Sequence, residues 1–227
     1  MSSIDLFQNP LRRWGKGKRR PTVRVKELHE RDRRRVVRHF LGLEANDRLL
    51  RFGSMLPDER IEHYVSGIDF SGDMVFGVYN RLFRLVAVGH LAFAPREPGQ
   101  SEVTEKERVA EFGVSVSKSA RGLGIGSKLF ERAAMHCRNH DVDTLYMHCL
   151  SSNKTMMHIA RKAGMEIQRD YGEADAYLKL PPANPASVLQ EALDEQFATF
   201  DYAMKANQRF AVKWLDRLRA LWRARKP

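Results

Sequence analysis

The spacing of apolar residues changes several times along the chain, and each change marks an element. Residues 22–26 alternate as a first strand does. Val36, Val37, Phe40 and Leu41 recur at helical spacing, so a helix is expected over 30–43, weakened near Gly42. A second short helix over 57–66 would place Ile61, Tyr64 and Val65 on one face. The stretches 74–79 and 82–93 are rich in Val and Phe, and Asn80-Arg81 between them reads as a hairpin turn. Residues 95–106 read as a polar loop. Beyond it come a strand at 109–117, a helix at 126–139, a strand at 144–150 and a helix at 155–163 that stops at Gly164. Two closing strands follow, at 167–170 and 176–180. Helices come first, then an antiparallel hairpin, then strand–turn–helix–strand–helix. That order implies an α+β fold rather than a repeating βαβ one.

Pro181, Pro182 and Pro185 punctuate the end of this pattern, and 186–226 contains neither Gly nor Pro. Leu189, Leu193, Phe197, Phe200, Met204, Ala211, Leu215, Leu218 and Trp222 fall mostly three or four residues apart, as in an amphipathic helix or helix pair. Unbroken, such a helix would be roughly 60 Å long at 1.5 Å per residue, more than one small domain can cover. Its apolar stripe therefore calls for a second copy of the chain, an anionic membrane under its basic end, or a fold-back onto its own domain.

The most specific local feature is a strand that runs into Arg121-Gly122-Leu123-Gly124-Ile125-Gly126-Ser127, a turn that opens a helix. The first N–H groups of a helix have no internal partner and carry the positive end of its dipole. Glycine lets a phosphate approach them without an intervening Cβ. Gly122, Gly124 and Gly126 lack the wider spacing of the dinucleotide fingerprint and the Gly-Lys-Ser/Thr ending of a P-loop. The residues alone leave open a phosphate-binding turn or a purely structural one.

The segment Arg121-x-x-Gly124-x-Gly126 resembles motif A of the GNAT superfamily of acyl-CoA N-acyltransferases, and the preceding strand 110–116 matches as well. The stretch from Cys149 through Asn153 and His158 to Gly164-Met165 resembles motif B, and Arg48-Leu-Leu-Arg51-Phe52 resembles an early Arg-Phe segment. The likeness is strongest to GNAT domains of bacterial protein lysine acetyltransferases. It covers about 22–180 and implies a GNAT domain over 22–182, with a basic arm at 1–21 and a helical extension at 183–227. It also implies a mixed, mostly antiparallel, V-splayed sheet flanked by helices. Into that V the pantetheine arm of acetyl-CoA would insert beside Val114 and Val116. The turn Arg121, Gly122, Leu123, Gly124, Ile125, Gly126 and Ser127 would hold the pyrophosphate, and Asn153 would contact the cofactor or order the turn beside it. The implied reaction moves an acetyl group to a primary amine: a protein lysine, a protein N-terminus or a small amine.

Acylating an amine requires a base for the attacking nitrogen. Glu111 is the candidate, ten residues before Arg121. Strand alternation puts it on one face with Gly113 and Ser115, small residues that leave room for a substrate. An acid is harder to find, because Ala160 stands where many relatives carry Tyr. His158, Tyr146, His148 and Cys149 are nearby in sequence. The acid pairs Asp141/Asp143 and Glu173/Asp175 could bind a cationic amine or a metal but read first as solvated loop acids, and His29, His39, His63 and His90 show no metal spacing.

Charge changes the picture only at the ends. The net +11 divides into +8 over 1–35, +5 over 213–227 and −2 between them. Such ends are commonly just solvated, but they also suit weak contact with RNA or an anionic membrane. Cys137 and Cys149 form no CxxC pattern and read as reduced, buried thiols. The chain shows no signal peptide and no apolar run of spanning length, so the expected location is cytoplasmic. Two rivals to an enzyme remain: a non-catalytic acyl-CoA sensor or scaffold, and an RNA- or membrane-associated platform.

Overall fold

The computed structural model describes residues 22–93 and 108–224. The basic arm and the whole 95–106 loop lie outside them. One seven-stranded sheet organises the domain, in the order β1-β2-β3-β4-β5-β7-β6. The strands are β1 (Lys26–Leu28), β2 (Met74–Tyr79), β3 (Leu85–Phe93), β4 (Val109–Val116), β5 (Thr144–Leu150), β6 (Glu166–Asp170) and β7 (Glu173–Lys179). Every neighbour pair is antiparallel except β4 with β5. Three short helices pack on one face: α1 (Arg33–Leu41), α2 (Ala45–Phe52) and α3 (Asp58–Ser66). The other face carries α4 (Ile125–Asn139) and α5 (Lys154–Ala163), and α6 (Pro185–Ala224) runs along one side.

Strand parity sorts the core into two layers. On β2, Val75 and Tyr79 join Val36, Phe40, Ile61 and Val65 under α1 and α3, whereas Phe76 and Val78 join Leu129 and Ala133 of α4. A strand buried on both faces needs apolar residues without alternation, which is why 74–79 reads as a continuous run.

Several boundaries differ from the sequence expectation. The first strand lies at Lys26–Leu28, where Val25 and Leu28 are buried, and not at 22–26. The expected 30–43 helix opens as a 3-10 turn, Glu30–Asp32, before α1 begins. The hairpin turn spans 80–84. The Asn80 Oδ1 accepts from the Leu82 and Arg84 amides, Phe83 takes a left-handed φ of 54°, and Leu82 is left exposed. Helix α2 was not expected as a helix, because its inward positions include Asp47, Arg48 and Arg51 and no apolar stripe announces it. The closing strand starts at Glu173, so Glu173 and Asp175 sit on a strand rather than in a loop.

Helix α6 is a single helix, and its inner face is not the apolar one. Glu191 receives hydrogen bonds from Arg132, His136 (2.8 Å) and Asn139 (2.6 Å) on α4. Ala198 is buried, Tyr202 packs against the Tyr79 and Phe83 rings, and Lys205 donates to the Tyr79 carbonyl at 2.9 Å. The stripe of Leu189, Leu193, Phe197, Phe200 and Met204 faces outward instead. A helix folded back on its domain thus leaves its apolar side uncovered. No helix among the described residues is long and apolar enough to cross a membrane.

Burial pushes the Glu191 carboxyl up, but the hydrogen bonds from His136 and Asn139 and the Arg132 charge outweigh it and bring it down to about 2. A carboxyl with a depressed folded pKa stabilises the fold fully above its unfolded value, near 4.5, and loses that contribution as pH falls toward 2. The stability gap between the wild-type chain and Glu191→Gln, measured by urea unfolding, should therefore be full at neutral pH and shrink between pH 4.5 and 2. A gap independent of pH would refute this account of the anchor.

Candidate active site

Strand β4 has two unlike edges. Along β3 it pairs over its whole length, from Ala87↔Val116 to Phe93↔Ala110. Along β5 it pairs at only three positions, Val109↔Thr144, Ala110↔Leu145 and Glu111↔Tyr146, and then the strands part. The Ser117 amide donates to the Val86 carbonyl. Antiparallel ladders alternate, so 115, 113 and 111 turn their main-chain groups toward β3 while 112, 114 and 116 turn theirs toward the gap. The backbone N–H and C=O groups of Val114 and Val116 therefore line an open V.

The phosphate-type turn closes the wide end of that V. After a 3-10 turn, Lys118–Ala120, the chain passes through Gly122 (φ 74°) and Gly124 (φ 76°), both left-handed. Gly124 caps α4 with no side-chain hydrogen bond, and the first helical bond runs from the Lys128 amide to its carbonyl. The Ile125, Gly126 and Ser127 amides thus precede the helical ladder and have no helical acceptor. Gly126 packs closely: a Cβ there would lie 3.1 Å from the Ile159 side chain of α5, which would have to shift to admit it. Leu123 is exposed and Ile125 is buried in the core.

The Arg121 guanidinium is partly engaged within the protein. It pairs with Asp47 of α2 at 2.5 Å and donates to the Val116 carbonyl at 3.3 Å, yet half of the side chain faces solvent. Lys118 makes a second tie, to Glu44 at 3.0 Å. Asn153 caps α5 by accepting from the Met156 amide (3.1 Å) and donates to the Leu50 carbonyl of α2 (3.3 Å). Its amide thus orders the far wall of the V and links it to α2.

Glu111 and Tyr146 face each other where the V closes. Glu111 is exposed and forms no hydrogen bond or ion pair among the described residues. The Tyr146 hydroxyl donates to Asp175 at 2.6 Å, and the His148 ring lies 2.8 Å from the same oxygen. Those two bonds lower the Asp175 pKa, while burial and then the Asp175 bond raise that of Tyr146. The phenol beside Glu111 is thereby a weaker acid than an ordinary tyrosine. Sequence proximity had named Tyr146 and His148 without separating them from His158 and Cys149. The structure puts His158 on an exposed face of α5 and buries Cys149, whose pKa burial raises.

The expected room beside Gly113 is occupied. A Cβ on Gly113 would lie 2.6 Å from the Arg51 guanidinium. Arg51 donates to the Tyr64 hydroxyl (2.8 Å), which lies 2.9 Å from His90 Nδ1, and His90 Nε2 lies 2.9 Å from Asp73. Ser115 is held by His39 at 2.7 Å. Glycine and serine on this face make way for Arg51 and His39, whereas Glu111 farther along it is exposed. From sequence, Asp175 stood out only as half of the Glu173/Asp175 acid pair, and Arg51 was given no role. The only hint at Arg51 was the Arg-Phe resemblance, which said nothing of its position.

Residues 84–165 match the family model described as the acetyltransferase (GNAT) family. Several solved structures are similar over about 70% of the chain. The GNAT domain of S. lividans PAT is 20% identical, with 70% of this chain and 90% of that one covered and a TM-score of 0.56. A spermidine N-acetyltransferase from Vibrio cholerae, in complex with CoA and spermine, is 18% identical over 69% of this chain and 95% of that one, with a TM-score of 0.52. An acetyltransferase of the GNAT family from Streptococcus pneumoniae is 13% identical over 70% and 100%, with a TM-score of 0.53. The architecture is the GNAT fold, extended by α6.

Proposed function

We propose that this chain, built on the GNAT fold, is an acetyl-CoA-dependent N-acetyltransferase acting on a primary amine. At the level of the matched family, acetyl transfer to amines is supported. The observation that carries the reading for this chain is the alignment of three features. The unpaired edge of β4 leads from the bare N-terminus of α4 to Glu111, so an extended thioester can lie along it. The diphosphate would rest on the amides of the turn Gly122–Ser127 and on the open side of Arg121. The pantetheine amides would pair with Val114 and Val116 as an added half-strand. Asn153 would hold the opposite wall.

In this reading Glu111 takes a proton from the acceptor ammonium, directly or through water. The freed nitrogen attacks the thioester carbonyl, the C–N bond forms, the C–S bond breaks, and the nitrogen's second proton passes to the departing thiolate, directly or through water. A thiol with a pKa near 8.5 is a tolerable leaving group as the thiolate, so the absence of a strong acid at Ala160 or Tyr146 is no obstacle. Asp175, with its lowered pKa, adds a second negative charge near Glu111 and favours a cationic acceptor. A base at the closed end of the cleft favours turnover over a binding-only sensor. The acceptor is a lysine side chain, a protein N-terminus or a small amine. The basic ends would supply weak contact with RNA or anionic lipid and are not required by this chemistry.

Helix α6 is proposed to join two copies of the chain. Leu189, Leu193, Phe197, Phe200 and Met204 step outward by four, four, three and four residues, as a helix-pairing seam does. Analytical ultracentrifugation should find a dimer that Phe200→Glu/Met204→Glu converts to monomer. A monomeric wild-type chain at tens of micromolar would remove this proposal.

Two variants test the site. Gly124→Glu places a strained, negatively charged side chain at the α4 N-terminus, so calorimetry should show acetyl-CoA affinity falling at least about tenfold in a folded protein. Unchanged affinity would move the cofactor elsewhere. Glu111→Gln keeps the shape and removes the base, so kcat should fall on the order of 10²–10⁴-fold with acetyl-CoA affinity kept. Full activity in that variant would assign the base to another group.

A further inference from the structure

A cavity of about 710 Å³ opens between the end of α1, the β2–β3 turn and α6; Ser117, just past the end of β4, is in its wall, and Glu111 is not. Arg35, Arg38, Arg84 and Arg209 line it. Only Arg35 is neutralised, by Asp32 at 2.5 Å. Arg209 is fixed by donating to the Leu82 and Phe83 carbonyls, at 3.1 and 3.0 Å, which leaves its charge unbalanced. Arg38 and Arg84 form no ion pair among the described residues, and no Asp or Glu lines the cavity. His39, also in the wall, is neutral at pH 7 because burial brings its pKa down to about 4.

Guanidinium groups gathered around one space repel each other unless an anion sits among them. The negative end of α1 does not cancel them, because Arg48 reaches back to bond the Leu41 and Leu43 carbonyls. The groups come from three separate elements, so a single charge run along one helix does not account for them. Guanidinium donors suit tetrahedral phosphate oxygens in particular. The volume falls within the range for a small-molecule ligand. Phe83 and Phe210 add apolar wall on either side of the arginines.

We propose that this cavity binds a small oligophosphate, at a site separate from the acetyl-CoA cleft. The ligand lies between Arg38, Arg84 and Arg209, with its phosphate oxygens on the guanidinium groups. Its floor is His39, whose ring is 2.7 Å from Ser115 and 3.5 Å from Ser117, both next to the gap-facing residues of β4. Occupancy is thus one side chain away from the strand proposed to hold pantetheine. Free oligophosphate and the phosphate chain of a nucleotide share this chemistry.

The test is calorimetry of the full chain with sodium triphosphate and, separately, with ATP, at fixed ionic strength and with CoA saturating. Each ligand should bind at one site in the presence of CoA. Arg38→Gln/Arg84→Gln should weaken both at least about tenfold, while CoA affinity stays as in the wild-type chain. Equal affinity for the two ligands assigns the site to the phosphate chain alone, and tighter ATP binding adds a ring contact at Phe83 or Phe210. No binding of either ligand overturns the proposal, as does displacement by CoA or an undiminished affinity in the double variant. Both substituted residues are exposed, and matching circular dichroism verifies the variant's fold. A failure of CoA itself to bind would count against the proposed function, whereas the loss in the double variant would still establish this site.

Discussion

The structure depends on one strand keeping one partner and leaving the other. Strand β4 is bonded to β3 throughout, but to β5 through three residues only. A strand edge left open inside a domain exposes unsatisfied backbone groups, which is costly unless something pairs with them. Here the open stretch begins next to Glu111 and ends beside the bare N-terminus of α4. Both sets of unsatisfied donors lie on one line, so a single extended ligand with amides at one end and phosphates at the other satisfies them together.

Something must also keep the V from closing or spreading, and α2 does so. Its Asp47 holds Arg121 of the turn after β4, and its Leu50 carbonyl holds Asn153 of the turn after β5. Between these ties, Arg51 fills the hollow over Gly113. One eight-residue helix thus ties the turns after both arms of the gap and packs on one arm, β4, itself. These ties are polar and directional, which suits a splayed geometry better than apolar packing, since apolar packing would favour closing the gap.

That same polarity explains what the sequence could and could not convey. The α4 turn was legible because strand, glycines and helix follow one another within a few residues. The place of Glu111 on the strand before that turn was legible too, from the apolar run at 109–117. The strands of the core and the α+β order were legible because apolar period reports burial. Helix α2 was not, because its inward side is Asp47, Arg48 and Arg51, and a helix whose buried face is charged reads as a loop. Gly113 and Ser115 were read correctly as small residues, but sequence could not say whether a ligand or Arg51 and His39 would fill the space. For α6 the period was right, and the stripe it marks faces away from the domain. An apolar stripe shows which side avoids water, and cannot show whether the domain or another molecule covers it.

The charge distribution on the α1–α3 face narrows the choice of base. Arg51 lies within a cage of the Phe40, Phe52 and Tyr64 rings, 5.0–5.8 Å from each, and its Nε has no hydrogen-bond partner among the described residues. Its charge acts on both nearby histidines. Burial first, and Arg51 in addition, lowers the pKa of His39; burial lowers that of His90 despite the opposing pull of Asp73. Both rings are therefore neutral at pH 7, and a neutral imidazole could in principle accept a proton. Neither is placed to do so. His39 is bonded to Ser115 and lines the arginine-rich cavity, and His90 has Tyr64 on one nitrogen and Asp73 on the other. Asp175 is held by Tyr146 and His148, and those bonds make it a weaker base. Glu111 is the carboxylate at the closed end of the V without such bonds among the described residues, which leaves its lone pairs available to the proton of an incoming ammonium.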